Sequence, residues 1–191
     1  MSRYQSKSWR AFDPKAKAAA VPLPRLASAA RVRILGLDPG SRRTGFGLIE
    51  CRGGDSVHLS HGHIAGEGAT MAERLRMIFE GVQALLDKHH PDEVAVERVF
   101  VNRNVDSALK LGQARGAALC AVPQATPVFE YAPRAIKLAV VGSGKAEKLQ
   151  VAHMVRTLLQ LETRVTGDAS DALAVAICHA HSRRVLELAR Q

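Results

Sequence analysis

One stretch of this sequence, RVRILGLDPGSRRTGFG at residues 31–47, most constrains the fold that the chain can adopt. Its first half predicts a strand that is apolar on both faces, because side chains alternate along a strand, and the apolar run stops at Asp38. That pattern is typical of a central strand covered on two sides. The turn sequence PGS predicts an immediate return along residues 44–51. A carboxylate is therefore expected at the exposed end of a central strand, although an aspartate there also fits a plain turn or capping residue.

The remaining sequence predicts an alternation of strands and helices. Residues 92–100 predict a second buried strand, in which Ala95 and Glu97 share one face and Glu97 repeats the situation of Asp38. An isolated glutamate at such a place also fits a salt-bridged residue at the rim of a sheet. Other predicted strands cover residues 56–64 and 128–131, and predicted helices cover residues 70–90, 102–122, 134–141, 146–161 and the segment from 167. This mixture indicates an α/β protein.

Composition limits the size and class of the protein. With 191 residues, of which 47% are hydrophobic, the chain fits one domain large enough to bury a core. No apolar run approaches the length needed to cross a bilayer. The three cysteines lie far apart, which favours reduced core thiols of a cytosolic protein over a disulfide framework or a zinc site. We therefore expect a cytoplasmic protein without a membrane segment.

The formal net charge of +9 is unevenly placed along the chain. Residues 1–30 carry +5 of it and residues 31–191 keep +4, so the basic character does not depend on the N-terminal segment. A polyanionic partner such as nucleic acid fits this charge, and a merely solvated basic surface fits it too. Residues 1–30 have no periodic apolar face and only a loose likeness to a transit peptide. We expect a disordered extension, or an upstream start codon wrongly chosen, ahead of a single domain at residues 31–191.

Two further motifs invite a ligand-binding interpretation but lack what it requires. His58, His61 and His63 lie in one predicted strand, but no cysteine or acid falls between them, so solvent-facing histidines are expected rather than a metal site. The sequence GSGK at residues 142–145 lacks the preceding glycine and the following Ser or Thr of a nucleotide phosphate loop. Its backbone beside lysines still suits contact with a nucleic-acid phosphate.

The predicted helix at residues 102–122 has a face rich in small residues, which lets another helix approach closely. The residues of this face are Val105, Ala108, Leu109, Gly112, Gly116 and Leu119. Tight packing on the sheet and a two-fold interface between chains both fit such a face.

The last predicted helix supplies two more acids. Asp168 and Asp171 are three residues apart at its start and lie on one side, and the small residues at 169–176 let the helix lie close against the sheet. One of the two acids also fits a helix cap. Clustered with Asp38 and Glu97, they form four carboxylates that repel each other unless cations lie between them. Oxygen ligands favour Mg²⁺ or Mn²⁺, and two such ions support phosphodiester hydrolysis.

Four stretches of the chain resemble one protein family. They are ILGLDPGSRRTGFG, VAVERVFVNRNVDSALKLGQARG, VFEYAPRAIKLAVVGSGKAEKLQV and DASDALAVAICHAH, in consistent order and spacing over residues 32–181. Together they resemble the RuvC family of Holliday junction resolvases, the crossover junction endodeoxyribonucleases. The resemblance implies a ribonuclease H-like fold, with a mixed five-stranded sheet flanked by helices. It also implies a homodimer that nicks four-way DNA junctions symmetrically in homologous recombination and DNA repair.

The resemblance further implies roles for individual residues. The implied catalytic acids, which bind one or two Mg²⁺ ions or Mn²⁺ in their place, are Asp38, Glu97, Asp168 and Asp171. Phe100 matches an aromatic residue that stacks on a base near the cut, and Lys137 and Lys148 match basic residues that hold the DNA near the active site. Core packing for Phe100 and solvated charge for each lysine are the alternatives. The RuvA–RuvB branch-migration complex is the implied partner.

Three other functions fit parts of the sequence. The spacing of Asp38, Gly40 and Gly45 resembles the first phosphate loop of actin-like ATPases and sugar kinases, but those proteins need a second comparable domain, which 191 residues do not supply. A related single-domain nuclease acting on RNA would share the acids, yet the stretch VFVNRNVDSALKLGQARG favours the junction-resolving family. A protein that only binds junctions is disfavoured because all four acids are present.

Overall fold

The computed structural model describes the chain at residues 30–98, 104–163 and 165–188. The predicted extension at residues 1–30 lies outside this part except for Ala30. The described strands are β1 (Arg31–Asp38), β2 (Arg43–Arg52), β3 (Asp55–Ala65), β4 (Glu93–Glu97) and β5 (Val128–Tyr131). The described helices are α1 (Met71–His89), α2 (Val105–Cys120), α3 (Pro133–Val141), α4 (Lys148–Leu158) and α5 (Gly167–Leu188). None of these helices combines the length and the apolar character needed to cross a membrane.

The described strands form a mixed sheet in the order β3-β2-β1-β4-β5. The PGS turn returns the chain as predicted, so that β1 pairs with β2 antiparallel, and β3 continues antiparallel. On the other side, β4 pairs with β1 and β5 pairs with β4, both in parallel. β1 is therefore the central strand, as its two apolar faces predicted, and the mixed five-stranded sheet flanked by helices is confirmed.

Each face of the sheet carries its own hydrophobic core. Val32 and Ile34 of β1 belong to the core under α3, α4 and α5. Leu35 and Leu37 belong to the core under α1 and α2. Full burial of one such side chain contributes about 1.5–3 kcal/mol, and all four are at most 1% exposed. β1 thus joins the two cores through alternate residues.

Local sequence fixes the ends of two helices. The capping box at the start of α1 is present, since the Glu73 amide donates to the Thr70 hydroxyl at 3.2 Å and the Thr70 amide donates to the Glu73 carboxylate at 2.9 Å. Gly142 ends α3 with a φ of +80°, a left-handed conformation that glycine adopts without strain. Gly142 of the GSGK sequence is therefore the residue that ends α3, and the rest of the sequence lies in the connection to α4.

Most of the small-residue face of α2 does not pack on the sheet. Leu119 reaches the core, but Val105 and Leu109 are 64% and 63% exposed. A Cβ added at Gly112 or Gly116 would meet no atom within 4 Å. α2 packs instead through buried alanines on its other side, because small and apolar residues occur all round this helix and their spacing does not identify the inner face. We call the set of Val105, Leu109, Gly112 and Gly116 the α2 stripe, in which the first three residues are exposed and Gly116 is half-buried.

Candidate active site

Asp38 and Glu97 end neighbouring parallel strands at the same edge of the sheet. Leu37 of β1 lies opposite Val96 of β4, so the acids that follow these two residues stand side by side. Both acids lie on the sheet face that α5 covers, because alternate residues of each strand belong to the core under α5. The two predicted strand ends therefore meet as the sequence indicated.

Glycines in β1 and β2 let the backbone of α5 touch the sheet. A Cβ added at Gly36 would collide with main-chain atoms one turn into α5, and a Cβ added at Gly45 would collide with the carbonyl oxygen of Asp168. Gly45 is also the residue of β2 that pairs with Asp38. The start of α5 therefore lies over the end of β1, which brings Asp168 and Asp171 to the same edge as Asp38.

The electrostatics of these acids are those of one cluster. Burial raises the pKa of Asp38 to about 7, and the negative charges of the other three acids add to the rise. Burial and the charge of Asp171 raise the pKa of Glu97 as well. This mutual opposition agrees with the placement of these acids at one edge of the sheet. The structure thus brings the four predicted acids together.

Two lysines face the cluster. The Lys148 ammonium lies 2.6 Å from Oδ2 of Asp171, and this hydrogen bond raises the pKa of the lysine. The charge of Lys137 acts on Glu97 in the direction opposite to burial and lowers its pKa. Both lysines line a pocket of about 200 Å³ together with Glu97 and Asp171. The two basic residues singled out in the sequence are therefore next to the acids.

The donor set of the cluster fits a hard divalent cation. Among the described residues, no group of three or more His, Cys, Asp and Glu side chains is already arranged to hold a metal ion, and the pocket beside the cluster is lined by two of its acids, Glu97 and Asp171. Burial is the main cause of the raised pKa values of Asp38 and Glu97, and the charges of neighbouring acids add to it, so a bound cation would favour the ionised form of both carboxyls. Carboxylate oxygens are ligands that Mg²⁺ and Mn²⁺ prefer.

The remaining predicted site residues lie elsewhere or beyond the described part. Phe100 lies outside the described residues. Of the β3 histidines His63 is exposed, whereas His58 and His61 are exposed only in part. These two are half-buried, and Nε2 of His58 lies 2.8 Å from Nδ1 of His61. A register shift between β2 and β3 brings them to one side although they are three residues apart.

Sequence reasoning missed Arg115, which braces the end of β4. Its Nε donates to the main-chain carbonyl oxygen of Glu97 at 3.3 Å, and its Nη2 lies 2.8 Å from Oε2 of Glu130. Arg115 therefore ties α2 to the strand end that carries an acid and to β5 beside it. The sequence feature that could have pointed to Arg115 is its charge, which stands among the small residues of α2.

Sequence comparison identifies the family. The family model described as crossover junction endodeoxyribonuclease RuvC matches residues 34–179. The chain belongs to this family. The RuvC of Shewanella sp. (strain W3-18-1) is 50% identical over 154 residues, which cover 80% of this chain and 89% of that protein. The RuvC of Hahella chejuensis (strain KCTC 2396) is 49% identical over 156 residues, which cover 81% and 91% respectively.

Solved structures agree with the RuvC assignment. A structure described as T. thermophilus RuvC in complex with Holliday junction substrate matches with a TM-score of 0.75 and 34% identity, covering 81% of this chain and 96% of that one. The yeast mitochondrial Holliday junction resolvase Ydc2 matches with a TM-score of 0.58 and 10% identity, covering 84% and 86%, and shows a shared fold alone. The ribonuclease H-like fold and the crossover junction endodeoxyribonuclease class are thus confirmed.

The raised pKa of Asp38 predicts how the stability of this RuvC-family chain depends on pH. The folded state holds the extra proton between the ordinary pKa of 3.8 and the folded value of about 7, so stability falls as the pH rises through that window. In EDTA, Asp38→Asn is expected to raise the free energy of unfolding by roughly 2 kcal/mol at pH 8 and to change it little at pH 4. Chemical denaturation at both pH values measures this difference.

The matched control for this stability measurement is Asp87→Asn, which changes an exposed aspartate of α1. A parallel loss of stability with rising pH in the wild type and in Asp38→Asn would contradict the prediction.

Proposed function

We propose that this chain resolves four-way DNA junctions by paired symmetric nicks, through metal-dependent hydrolysis at its four clustered acids. The matching family is named for crossover junction cleavage, and the relative from T. thermophilus was solved with Holliday junction substrate. The proposed catalytic and metal-binding residues are Asp38, Glu97, Asp168 and Asp171. Mg²⁺ is the proposed cofactor, with Mn²⁺ as a substitute.

The convergence of acids from β1, β4 and α5 is the observation that best supports this assignment. Acids that served only as salt-bridge partners would have lowered pKa values, because neighbouring positive charge favours the ionised form. Asp38 and Glu97 have raised values although two lysines are close. Burial and the neighbouring acids thus outweigh the two lysines at Asp38 and Glu97, and a bound cation would favour the ionised form of these carboxyls.

The acids, the lysines and Phe100 would have different roles in hydrolysis. The four acids would hold one or two divalent cations, which would activate the attacking water and stabilise the leaving 3′ oxygen. The carboxyl of Asp38, with a pKa of about 7, holds a proton part of the time at neutral pH and loses it to become a ligand. Lys148 and Lys137 line the same pocket and would pair with phosphate oxygens of the cut strand. Phe100 is proposed to stack on a base near the cut.

Cleavage of a synthetic mobile four-way DNA junction tests this function. The wild type is expected to place two symmetric nicks in opposing strands in Mg²⁺ and none in EDTA, and a linear duplex of the same sequence is the control. Junction binding without nicks in both Mg²⁺ and Mn²⁺ would contradict the proposal that this chain cleaves junctions. Nicking of an RNA-containing duplex in place of the junction would favour the related nuclease that acts on RNA.

Paired nicks need two active sites, and the α2 stripe supports a homodimer that supplies them. Val105 and Leu109 are among the most exposed large apolar side chains of the described residues. Gly112 and Gly116 continue the same side of the helix without neighbours, so a second backbone could approach closely there. The RuvA–RuvB complex, which the resemblance implies, is a further proposed partner.

Leu109→Gln is expected to weaken self-association roughly tenfold or more, because a large apolar side chain at the centre of an interface contributes more than 1 kcal/mol. Sedimentation velocity over a range of protein concentrations measures the dissociation constant. The matched control is Leu59→Gln, which changes a leucine of similar type on β3 that is 40% exposed. Equal association of wild type and Leu109→Gln would exclude the α2 stripe as the interface.

A further inference from the structure

A buried polar cluster in the core joins α5 to β4 and β5, apart from the acids of the active site. Glu93 and His179 are 0% exposed and Arg183 is 6% exposed. Nε2 of His179 lies 2.7 Å from Oε2 of Glu93, and Nε of Arg183 donates to the same oxygen at 3.2 Å. The Tyr131 hydroxyl lies 2.7 Å from Nδ1 of His179. We call these four residues the buried polar cluster.

The partners in this cluster fix the imidazole of His179. The Glu93 carboxylate accepts from Nε2, and Nδ1 shares a second hydrogen bond with the Tyr131 hydroxyl. Burial raises the pKa of Tyr131 to about 12, which keeps that hydroxyl protonated. The ring of Phe129 stacks on the imidazole with 4.2 Å between centroids. His179 is thus held in one orientation by partners at both ring nitrogens and on its face.

Stability alone does not account for polar groups at these positions. A carboxylate and a guanidinium lose their hydration when they are buried, and an ion pair between them offsets that cost only in part. Neighbouring positions of α5 hold buried apolar residues such as Ala174 and Ile177 in the same core. The polar cluster restrains the position of α5 on the sheet more closely than apolar contacts do, because hydrogen bonds weaken steeply when their geometry changes.

The two ends of β4 hold α5 in different ways. Glu93 stands at the start of the strand and binds His179 and Arg183 of α5. Glu97 stands at the other end of the same strand face, where its charge interacts with Asp171 near the start of α5. Between them, α5 touches the sheet through main-chain atoms over glycines, a close contact without directional bonds. The buried polar cluster therefore opposes sliding of α5 along its axis.

We propose that the buried polar cluster positions α5 along β4 and thereby sets the spacing between Glu97 and the acids at the start of α5. A regular helix shifts as a rigid unit. A shift of α5 along its axis at His179 therefore also moves Asp168 and Asp171, which lie about 12–17 Å away along that axis. Mg²⁺ and Mn²⁺ demand closely defined ligand distances, so metal affinity should respond to that displacement. The inference rests on the proposed function, in which these acids bind the metal.

Mn²⁺ binding without DNA, measured by calorimetric titration, tests this inference. Tyr131→Phe removes one hydroxyl and keeps the ring, and His179→Gln removes the imidazole. Both are expected to bind Mn²⁺ roughly tenfold more weakly than the wild type, in line with other residues that orient metal ligands. Junction binding in EDTA should stay within about twofold, because the DNA-facing charges are unchanged. Tyr131→Phe decides the test if His179→Gln does not fold.

The matched control is Ile78→Val, which loosens the other core under α1 without touching the cluster. It should lower the melting temperature and keep wild-type Mn²⁺ affinity. Wild-type affinity in Tyr131→Phe would overturn the positioning role. Unchanged Mn²⁺ affinity in Asp38→Asn would instead overturn the proposed metal site and, with it, the positioning role. The Asp38→Asn result therefore separates a failure of the proposed function from a failure of the positioning role alone.

Discussion

Asp38→Asn is expected to lower the rate of junction cleavage at least about a thousandfold while junction binding is retained. Asparagine keeps the shape of the side chain but removes a negative charge from the centre of the cluster, where it should weaken a metal ligand. A loss of about 4 kcal/mol in transition-state stabilisation corresponds to that factor. Single-turnover cleavage in Mg²⁺ measures the rate, and fluorescence anisotropy in EDTA measures binding.

Asp87→Asn serves as the control for the cleavage measurement because it removes the same charge from an exposed position on α1. Its cleavage rate should stay within about twofold of the wild type, while Asp38→Asn should bind the junction at least as tightly, since a negative charge near the phosphates is gone. Cleavage by Asp38→Asn within tenfold of the wild type would exclude Asp38 from the chemistry. Loss of binding together with cleavage would assign it to folding or DNA contact instead.

Gly36→Ala is expected to lower the free energy of unfolding by roughly 3 kcal/mol, because overpacking against main-chain atoms leaves no side chain to move aside. The added Cβ would collide with the carbonyl oxygen of Ala172 and lie 2.8 Å from the amide nitrogen of Ala176. α5 must then rise from the sheet, and Asp168 and Asp171 rise with it. Urea denaturation measures the stability, and junction cleavage of the remaining folded protein should fall as well.

Gly112→Ala is the control for the glycine prediction, since its Cβ would meet nothing within 4 Å in the chain. At protein concentrations low enough to keep chains separate, it should leave the stability unchanged or raise it by up to about 1 kcal/mol, because alanine favours a helix more than glycine does. Equal stability of Gly36→Ala and the wild type would mean that α5 tolerates displacement from β1.

Alternating apolar residues and the acids that interrupt them were enough to predict most of the fold and the four-acid cluster. The strand containing Asp38 is central because both of its faces are apolar, and the same alternation assigned Glu97 to one face with Ala95, which the structure shows under α5. The small residues after Asp168 predicted the close approach of α5, which the glycines of β1 and β2 complete. These features depend on residue type and short spacing, which a sequence displays directly.

Features that depend on distant partners were not predictable in the same way. The burial of Glu93 became evident only where His179 and Arg183 meet it from a helix far along the chain. The inner face of α2 was ambiguous because alanine, glycine and leucine surround the helix. The facing pair of His58 and His61 depends on a register shift between β2 and β3, which strict alternation does not foresee.

The order of the elements along the chain has a consequence for how the nuclease is made. β1 and β4 bring Asp38 and Glu97, but Asp168 and Asp171 belong to α5, which follows every strand in sequence. A growing chain can form the hairpin of β1 and β2 from neighbouring residues, whereas docking α5 joins segments more than a hundred residues apart and is the slower kind of event. During synthesis the set of four acids is therefore completed only after α5 has been made, so a shorter nascent chain lacks half of them.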